Sequence, residues 1–289
     1  MRRFRRIANS LTAPLPDLWY YRIRHLVRHR RLPRIRRPVT YNDHILSLMV
    51  SRENAALRKR VSDKIEVRSY VRDVLGESFL PELYGTLDSA EALPRLWEDL
   101  PPDFVMKAAH GADSDWVRIV KDKQTVSLDE ASRLCTAWLD GSHFGAAREY
   151  VYREMPPRIL FEERLKPASD PDAIPNDYKL FAFNGEVRLI AVDLARFEEH
   201  RRALFTRDWT LIPGGLKFPT PRQEVPPPPH LAGLIRAAER LAHPFSFIRV
   251  DFYDLGDRIV FGEMTNFPGG GNSRFTPRRL DAELGRLFA

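Results

Sequence analysis

The segment RVDFYDLGDRIVFGEMTNFPGGG, residues 249–271, holds two apolar strand-like runs, a short turn between them and a glycine-rich end. One run carries Asp251 and the other carries Glu263. If the two runs pair as antiparallel strands, the turn DLGDR brings both carboxylates close together. An ionised carboxylate is costly to bury unless a cation neutralises it. The segment therefore predicts a cationic partner at the ends of the two strands.

Two interpretations of this acid pair stay open at the level of the residues. Mg²⁺ is held in proteins by a few carboxylates together with substrate phosphates, and Asp251 and Glu263 fit that preference. Arg249 lies on the same strand face as Asp251, where a guanidinium could stabilise a phosphoryl group in transfer. The alternative is a plain Arg249–Asp251 ion pair that closes the hairpin. The glycines that follow leave room for a ligand, which favours the metal site.

Other charged residues stand at the ends of strand-like runs. Lys107 ends the run FVMK and precedes AAHGADSD, a loop of mostly small residues whose backbone N–H groups can bind phosphate. A pair of glutamates follows the run ILF, and an Asp-x-Lys pair lies on one face of a later strand. These residues are Glu162, Glu163, Asp177 and Lys179. Taken singly, each pattern is also typical of a solvated strand end or a simple ion pair.

The composition is that of a globular protein in a reducing compartment. The chain has 289 residues, 43% of them hydrophobic and 11% aromatic, enough for one large domain or two smaller ones. Cys135 is the only cysteine, and we interpret it as a core residue of a helix rather than a nucleophile. No run approaches the ~20 apolar residues of a membrane span, and the basic start lacks the apolar stretch of a signal peptide. We expect a cytoplasmic protein.

The net charge of +7 belongs to residues 1–38, a segment that we call the basic arm. Its only acid is Asp17, and the rest of the chain is slightly acidic. Its arginines are Arg2, Arg3, Arg5, Arg6, Arg22, Arg24, Arg28, Arg30, Arg31, Arg34, Arg36 and Arg37. Aromatic residues interrupt them, as in segments that lie on an anionic membrane or another polyanion. The alternative is a solvated tail that packs loosely on its own domain. Specific nucleic-acid binding is not expected, because no recognisable reader module follows.

Hydrophobic periodicity alternates between helices and strands along the chain. A helix capped by Asn42 or Asp43 is followed by a second that starts at Ser62 or Asp63. The Asn-Gly dipeptide at 184–185 predicts a β-hairpin, and LAGLIRAAERLAH predicts an amphipathic helix before the final hairpin. This order of elements predicts an α+β protein of two sub-domains with a cleft between them.

The ordered set of these elements resembles the TupA-like ATP-grasp family, which is associated with cell-surface polysaccharide biosynthesis. The stretches that carry the resemblance are SDKIEVRSYV, FVMKAAHGADSD, REYVYREMPPRILFEERL, DYKLFAFNGEVRLIAVDLARF, RDWTLIP and FSFIRVDFYDLGDRIVFGEMTNFPGGG. They span about residues 41–272 and leave the basic arm outside. The resemblance implies an ATP-grasp fold, in which two α+β sub-domains grip a nucleotide cleft behind a helical N-terminal segment. The expected parts are the arm (1–38), the helical segment (39–100), the small lobe (101–165) and the large lobe with the metal site (166–289).

The resemblance also implies that ATP and Mg²⁺ are the cofactors. Lys107 and Lys179 would hold phosphates, with Lys64, in a helix, as a weaker contact. The expected nucleotide-binding residues are Lys64, Lys107, His110, Gly111, Ser114, Glu162, Glu163, Arg164, Leu165, Asp177 and Lys179, with 162–165 as the adenine hinge and Asp177 on the ribose. The expected metal ligands are Asp251, Glu263, Thr265 and Asn266, and the expected catalytic residues are Arg249 and Lys179. Candidates for gripping an anionic acceptor are Arg196, Arg207, Asn272 and Arg274.

The implied reaction is that of a carboxylate–amine ligase in cell-surface polysaccharide or peptide-polymer synthesis. The γ-phosphate of ATP passes to a carboxylate, and an amine attacks the acylphosphate to form an amide. Two alternatives share the nucleotide site: a kinase for a sugar or lipid-linked hydroxyl, and a non-catalytic nucleotide-binding module. The acceptor is a small molecule or polymer with a carboxylate. Contact of the arm with the inner face of the cell membrane stays open.

Three features depart from the pattern of the wider ATP-grasp group. Asn266 falls one place later than in the Glu-x-Asn motif of many ATP-grasp enzymes, and the loop after Lys107 contains a single glycine. The segment before Pro101 is short and helical for a complete N-terminal α/β domain. The acceptor site is therefore the least defined part of the expected site.

Overall fold

Two antiparallel sheets carry the fold. The computed structural model describes residues 15–111, 114–142, 144, 148–194 and 200–289. Its strands are β1 (Leu83–Leu87), β2 (Phe104–Ala108), β3 (Val117–Val120), β4 (Ile159–Glu162), β5 (Asp177–Phe183), β6 (Glu186–Leu194), β7 (Arg201–Thr206), β8 (Gly215–Leu216), β9 (Phe247–Asp254), β10 (Ile259–Thr265) and β11 (Phe275–Thr276). One sheet has the strand order β1-β4-β2-β3, the larger has the order β10-β9-β5-β6-β7, and β8 pairs with β11.

Helices cover both sheets. The helices of the described residues are α1 (Asp17–His29), α2 (Tyr41–Ser51), α3 (Ala55–Ser62), α4 (Glu66–Leu75), α5 (Leu93–Asp99), α6 (Leu128–Leu139), α7 (Leu231–Ala242) and α8 (Arg279–Gly285). The hydrophobic core of the four-stranded sheet includes side chains of α5 and α6, so β1 and α5 pack with the small lobe although its expected boundary lay at residue 101. Cys135 is fully buried in that core, as predicted, and burial raises the pKa of its thiol to about 11.

The five-stranded sheet has two buried faces. One face, with Leu180, Val250 and Phe261, packs on α4 and α7. The other face, with Phe181 and Phe247, packs on α1, α2 and α8. Because side chains alternate along each strand, every second residue of β5 and β9 reaches this second face. At one end of the face, charged residues replace the apolar ones, and the candidate site lies there.

The β5–β6 hairpin confirms the prediction made from Asn184-Gly185. Phe183 pairs with Glu186, and the two turn residues have φ of 50° and 83°. Positive φ at both central positions is the geometry of a type I′ turn, which asparagine and glycine tolerate. The predicted helix over 231–243 is also present, as α7.

The beginnings of two helices differ from the prediction. Thr40 is the N-cap of α2, and its side chain and the carboxylate of Asp43 each accept a backbone N–H from the other residue. This capping box places Asn42 and Asp43 inside the helix, so the prediction that either residue is the cap is wrong. Lys64 lies in the turn between α3 and α4, so its expected helical position is also wrong. The predicted start of the second helix at Ser62 or Asp63 is too early, because α4 begins at Glu66. The Asp63 carboxylate accepts the N–H groups of Ile65 and Glu66 in the turn that leads into this helix.

The described part of the basic arm, residues 15–38, packs on the fold through α1. Tyr20, Tyr21 and His25 are buried, and the Tyr21 hydroxyl donates to the Arg148 carbonyl at 2.6 Å. Residues 1–14 lie outside the described residues. In the part of the chain that the structure describes, no helix has the length and apolarity needed to cross a membrane. Binding of the arm to a membrane or polyanion stays a prediction.

Candidate functional site

A β-bulge at Gly262 sets the two acids on one face. Phe261 of β10 lies opposite Phe252 of β9, whereas Glu263, two residues later, lies opposite Asp251. Gly262 is therefore the extra residue of the bulge. Without it, alternation would turn Glu263 towards the apolar face that holds Phe261. A Cβ at Gly262 would lie 3.1 Å from the Asp251 carbonyl oxygen, so a side chain there would crowd the neighbouring strand.

Arg249 bridges the two carboxylates. Its Nε and Nη2 donate to the two Asp251 oxygens at 2.6 Å each, and Nη2 also donates to Glu263 Oε1 at 2.7 Å. The Thr265 hydroxyl donates to the same Glu263 oxygen at 3.2 Å. The Asp251 side chain is 2% exposed and that of Glu263 is 36% exposed. The acids therefore converge, the cation between them is a guanidinium, and Glu263 is the accessible member.

Lys179 holds Asp251 from the other side. It lies opposite Asp251 in the β5–β9 register, and its Nζ donates to Asp251 at 2.7 Å and to Asp177 at 2.5 Å. Asp193 lies 3.7 Å away, and the Lys179 side chain is 4% exposed. An ammonium enclosed by three carboxylates positions Asp251 in this conformation. Asp177 is buried in the same cluster, so the structure does not place it on the cleft wall where a ribose contact was expected.

Two residues that the sequence reasoning missed extend this row of charges across the sheet. Asp193 lies opposite Asp177, and Arg202 lies opposite Asp193. Arg202 donates to both Asp193 oxygens, with Nη2 at 2.7 Å from Oδ2. Alternation along β6 was the available signal, because Asp193 lies on the same face as Ala191, the partner of Lys179.

Burial sets the electrostatics of the row. Burial raises the pKa of the Asp251 carboxyl to about 6, although Arg249 and Lys179 lower it. Burial disfavours the charge on Arg249, but the Asp251 and Glu263 carboxylates raise its pKa above the ordinary value. Burial also opposes ionisation of Asp193, yet Arg202 and Lys179 hold the pKa of that carboxyl below its usual range. Of these two acids, Asp251 therefore protonates more readily than Asp193.

Lys107 and Glu162 form the facing wall of the cleft, on the four-stranded sheet. They form an ion pair with each other, and Arg68 Nη1 lies 3.5 Å from Glu162. The Arg68 Nη2 also donates to the Pro81 carbonyl at 2.6 Å. The Lys107 side chain is 20% exposed and that of Glu162 is 6% exposed. Lys107 is thus the accessible member of the pair, and Arg68, another residue missed from the sequence, fixes Glu162.

Lys64 enters the same cleft from the turn between α3 and α4. Its Nζ donates to the Gly111 carbonyl. Burial lowers the pKa of Lys64 to about 8; the Glu263 carboxylate opposes this shift and the Lys107 ammonium adds to it. These interactions bring Lys64, Lys107 and Glu263 into one electrostatic environment, which local sequence patterns could not reveal.

The cleft is narrow in this conformation. Lys64, Lys107, Glu162 and Glu263 line it together with apolar side chains, and it encloses a cavity of about 30 Å³. A cavity of that size holds one or two water molecules, whereas small-molecule sites occupy about 300–1,000 Å³. Entry of a nucleotide would therefore require the two lobes to separate.

The loop after Lys107 supports the cleft differently from the expectation. His110 is buried, and its ring nitrogens face the Arg158 N–H at 3.4 Å and the Trp138 carbonyl at 3.0 Å. Both ring nitrogens are thus used within the protein, and His110 braces the loop. A Cβ at Gly111 would lie 2.3 Å from the Trp116 ring, so glycine is required there. Ser114 is exposed, and residues 112 and 113 lie outside the described residues.

The segment predicted as the adenine hinge, 162–165, connects the lobes. The Glu163 carboxylate pairs with Arg258 in the β9–β10 turn, and Arg164 pairs with Asp103 at 2.6 Å. Leu165 follows the end of β4 and is partly exposed. Adenine binding by this segment stays a prediction.

Asn266 corrects the predicted ligand set. It is 2% exposed, its Oδ1 accepts from Arg58 at 3.0 Å, and its Nδ2 donates to the Arg58 carbonyl and the Ser62 hydroxyl. These bonds tie α3 to the end of β10. Strand alternation places Thr265 on the face of Glu263 and turns Asn266 away from it. Asn266 therefore has a structural role, and Thr265 stays beside the acids.

The four acceptor candidates do not form a cluster. Arg207 pairs with Glu239 of α7, on the opposite face of the large sheet, and Arg274 is exposed. Asn272 is buried, and its Nδ2 donates to the Gly270 carbonyl at 2.9 Å. No hydrogen bond or ion pair joins these three residues where the structure describes them, and Arg196 lies outside the described residues. An acceptor site built from this set is not supported.

The acid pair fits Mg²⁺ as a partial ligand set. Among the described residues, no group of three or more His, Cys, Asp and Glu side chains is arranged to hold a metal ion. Mg²⁺ needs only one or two carboxylates when phosphates and water complete its shell. Asp251 and Glu263 already share a cation, the Arg249 guanidinium, and their hard oxygens are the type that Mg²⁺ prefers.

Comparison with known proteins identifies a matching family and distant structural neighbours. The family model described as TupA-like ATP-grasp matches residues 44–289. No curated protein matches the chain at a significant level.

Three structural neighbours illustrate the similarity, each below 25% identity. The ATP-grasp ligase PsnB, complexed with a phosphomimetic variant of a minimal precursor, Mg and ADP, is 14% identical over 82% of this chain and 62% of its own, with a TM-score of 0.43. D-Alanine–D-alanine ligase from Bacillus anthracis is 18% identical over 79% of this chain and 65% of its own, with a TM-score of 0.47. N5-carboxyaminoimidazole synthetase from Staphylococcus aureus, complexed with ADP, is 11% identical over 72% of this chain and 45% of its own, with a TM-score of 0.43. The chain thus spans less than two thirds of each neighbour, and these distant similarities carry no inference about its activity.

Proposed function

The chain belongs to the TupA-like ATP-grasp family, and from that premise we propose that it is an ATP-dependent ligase that activates a carboxylate and joins it to an amine. The observation that carries the proposal is the cleft between the two sheets, in which Lys64 and Lys107 face Glu263. Arg249 and Asp251 lie beside Glu263. Cations suited to phosphates and carboxylates suited to a divalent ion therefore meet in one place. Phosphoryl transfer depends chiefly on such positioning and charge neutralisation.

The two cleft lysines are assigned to the phosphates. Lys107 is partly exposed, and its present partner, Glu162, keeps Arg68 if Lys107 turns to a phosphate. Lys64 donates to a backbone carbonyl of the loop that follows β2, so lobe separation would free its ammonium as well. A phosphate would replace these partners with a stronger, doubly charged one, which offsets the cost of opening the cleft.

Arg249 is assigned to the transferring phosphoryl group, and Lys179 is assigned a positioning role. Arg249 lies at the surface of the row through its contact with Glu263, whereas Lys179 lies beneath Asp251. Asp251 and Glu263, with the Thr265 hydroxyl beside them, would hold Mg²⁺, which would neutralise charge on the phosphates. In this assignment, Lys179 keeps the Asp251 carboxylate fixed when Arg249 turns towards the phosphoryl group.

The proposed reaction forms an amide in two steps. A carboxylate oxygen of the acceptor attacks the γ-phosphorus of ATP, and ADP leaves. The amine nitrogen then attacks the acyl carbon, loses a proton, and phosphate leaves. We assign this chemistry to the assembly of a cell-surface polysaccharide or peptide polymer, with a uronic acid or amino-acid carboxylate as the class of acceptor.

The test is a measurement of products. We expect ADP and phosphate to appear together only when Mg²⁺, ATP, the carboxylate acceptor and the amine are all present. Hydroxylamine, added in place of the amine, should trap the acylphosphate as a hydroxamate. Arg249→Met should abolish hydroxamate formation, whereas Arg202→Met, at the far end of the same charged row, should retain most of it. ADP with a stable phosphoester and no free phosphate would identify a kinase. Absence of Mg²⁺-dependent nucleotide binding at millimolar ATP would overturn the proposal.

A further inference from the structure

The outer side of α1 carries an uncovered apolar stripe. Trp19, Ile23, Leu26 and Val27 are 53%, 41%, 44% and 78% exposed. At 100° per residue they cover about 100° of the helix circumference, on the side away from the buried Tyr21. The helix therefore has two apolar faces. One face packs on the protein, and the other presents its side chains to solvent.

Exposed apolar side chains are concentrated in this part of the chain. Ten large hydrophobic residues are exposed among the described residues, and six of them lie between residues 19 and 39. The two beyond the stripe are Leu32 and Val39. Single exposed apolar residues are normal on a soluble protein, but a contiguous group marks an interaction surface.

The charge around the stripe indicates what covers it. Residues 15–38 contain eight arginines and a single acid, Asp17. The exposed arginines are Arg28, Arg30, Arg34, Arg36 and Arg37. Asp17 is not free to offset them, because it pairs with Arg153 at 2.8 Å. An apolar helix face bordered by cations is the pattern of a helix that lies in the interface of an anionic bilayer.

We propose that α1 and the arginines after it dock the protein on the surface of an anionic lipid bilayer. The stripe enters the boundary between headgroups and acyl chains, and the arginines contact the anionic headgroups. This surface lies outside the matched family region, which begins at residue 44. The attachment is therefore an addition to the ligase fold and does not depend on the proposed reaction.

Docking would orient the large lobe relative to the bilayer. His25 Nδ1, on the inner side of α1, lies 3.3 Å from the Gly271 carbonyl in the loop that follows β10. That loop, residues 268–271, begins five residues after Glu263 and three residues after the end of β10 at Thr265. The bilayer would thus lie on the outer side of α1, opposite the face that contacts the glycine loop.

The apolar part of the proposal is tested with one matched pair of variants of the full chain. The assay is sedimentation with phosphatidylcholine vesicles that contain about 30% phosphatidylserine. Ile23 is 41% exposed on the stripe and Ile174 is 40% exposed on a distant loop. We expect Ile23→Glu to lower the partition coefficient about tenfold or more, since it removes apolar burial and adds repulsion. Ile174→Glu should bind as the unmodified protein does.

The charged part is tested with a second matched pair. Arg36→Glu with Arg37→Glu should abolish binding, whereas Arg95→Glu with Arg133→Glu, the same change of charge on exposed residues of the small lobe, should leave most of it. Val27→Glu repeats the test of the apolar stripe at a position that is 78% exposed, where the substitution is least expected to unfold the protein. Thermal melting of every variant checks that the fold is kept.

Several outcomes would overturn the proposal. Equal binding of Ile23→Glu, Val27→Glu and the unmodified chain would show attachment by charge alone. Equal binding to vesicles without phosphatidylserine would remove the role of the arginines. Self-association that Ile23→Glu abolishes, with no vesicle binding, would assign the stripe to a second copy of the chain.

Discussion

Replacing Arg249 by methionine is the most direct test of the acid pair. The change removes two hydrogen bonds of 2.6 Å to Asp251 and one of 2.7 Å to Glu263, from a side chain that is 13% exposed. Removal of one partner of a buried ion pair costs about 3–5 kcal/mol, and in this variant Asp251 keeps only Lys179 as a cationic partner. For a chain of this size that corresponds to a fall in Tm of roughly 5–8 °C.

The deficit of Arg249→Met should depend on pH in a defined direction. Burial raises the pKa of Asp251 from 3.8 to about 6, and Arg249 is a cation that lowers it, so the pKa should rise further in the variant. The folded state then binds a proton at pH values where the unfolded state has released it, and stability is lost as pH rises through the folded pKa. The loss of stability should therefore be largest above about pH 7 and smaller near pH 5.

Mg²⁺ should partly restore the stability of Arg249→Met. With the guanidinium gone, two adjacent carboxylates are left for a cation. A ligand whose free concentration is ten times its Kd adds about 1.4 kcal/mol to the free energy of unfolding. Arg202→Met is the matched control, because Arg202 is also buried beside a carboxylate, Asp193, but at the other end of the row. Mg²⁺ should not restore that variant.

The measurements are thermal and urea unfolding of both variants with and without Mg²⁺. If Mg²⁺ stabilises both variants equally, or neither of them, Asp251 and Glu263 do not form a cation site. If the difference in stability between Arg249→Met and the unmodified protein is independent of pH, Asp251 is not the acid that Arg249 neutralises.

Two further predictions concern the cleft and the end of β10. Binding of ATP should weaken as pH rises from about 7 to about 9, because Lys64, with a pKa near 8, loses its charge in this range. Calorimetric titration of Lys64→Gln should show weaker binding without this pH dependence; a retained dependence would assign the titration to another group. Asn266→Ala should lower the free energy of unfolding by about 2–4 kcal/mol, since it removes three buried hydrogen bonds, one of them donated by the Arg58 guanidinium. Thr265→Val should cost under about 1 kcal/mol and weaken Mg²⁺-nucleotide binding. The opposite ranking in urea unfolding and titration would contradict the placement of these two side chains.

Local patterns were sufficient for the elements whose geometry is fixed by neighbouring residues. The Asn184-Gly185 turn and the pairing of the two acid-bearing strands follow from turn chemistry and alternation. The N-cap of α2 was harder to predict, because Thr40, Asn42 and Asp43 are all good capping residues. Only the reciprocal contact of Thr40 with Asp43 decides between them.

The burial of charged residues could not be read from their own strands. Lys179 was expected on a phosphate, but Asp251 and Asp193 reach it from β9 and β6, and only the strand order brings them there. The packing of α1 is equally non-local, since His25 contacts Gly271 at the other end of the chain. A basic segment with aromatic residues indicates that a surface is bound, but the structure is needed to show which face of the helix stays uncovered.

The position of Asn266 follows from the same alternation that places the acids, once the bulge is known. Gly262 shifts β10 by one residue, so that Glu263 and Thr265 lie opposite Asp251 and Arg249. Asn266 then faces α3, where a buried arginine uses its side chain. A motif with asparagine two residues after glutamate would put the amide at the acids; with a spacing of three, only the hydroxyl of Thr265 can occupy that place. The protein side of a metal site here is therefore limited to two carboxylates and a hydroxyl, and this leaves more of the ion's coordination to phosphate oxygens. Metal affinity should accordingly depend more on bound nucleotide than it would with an amide ligand in place.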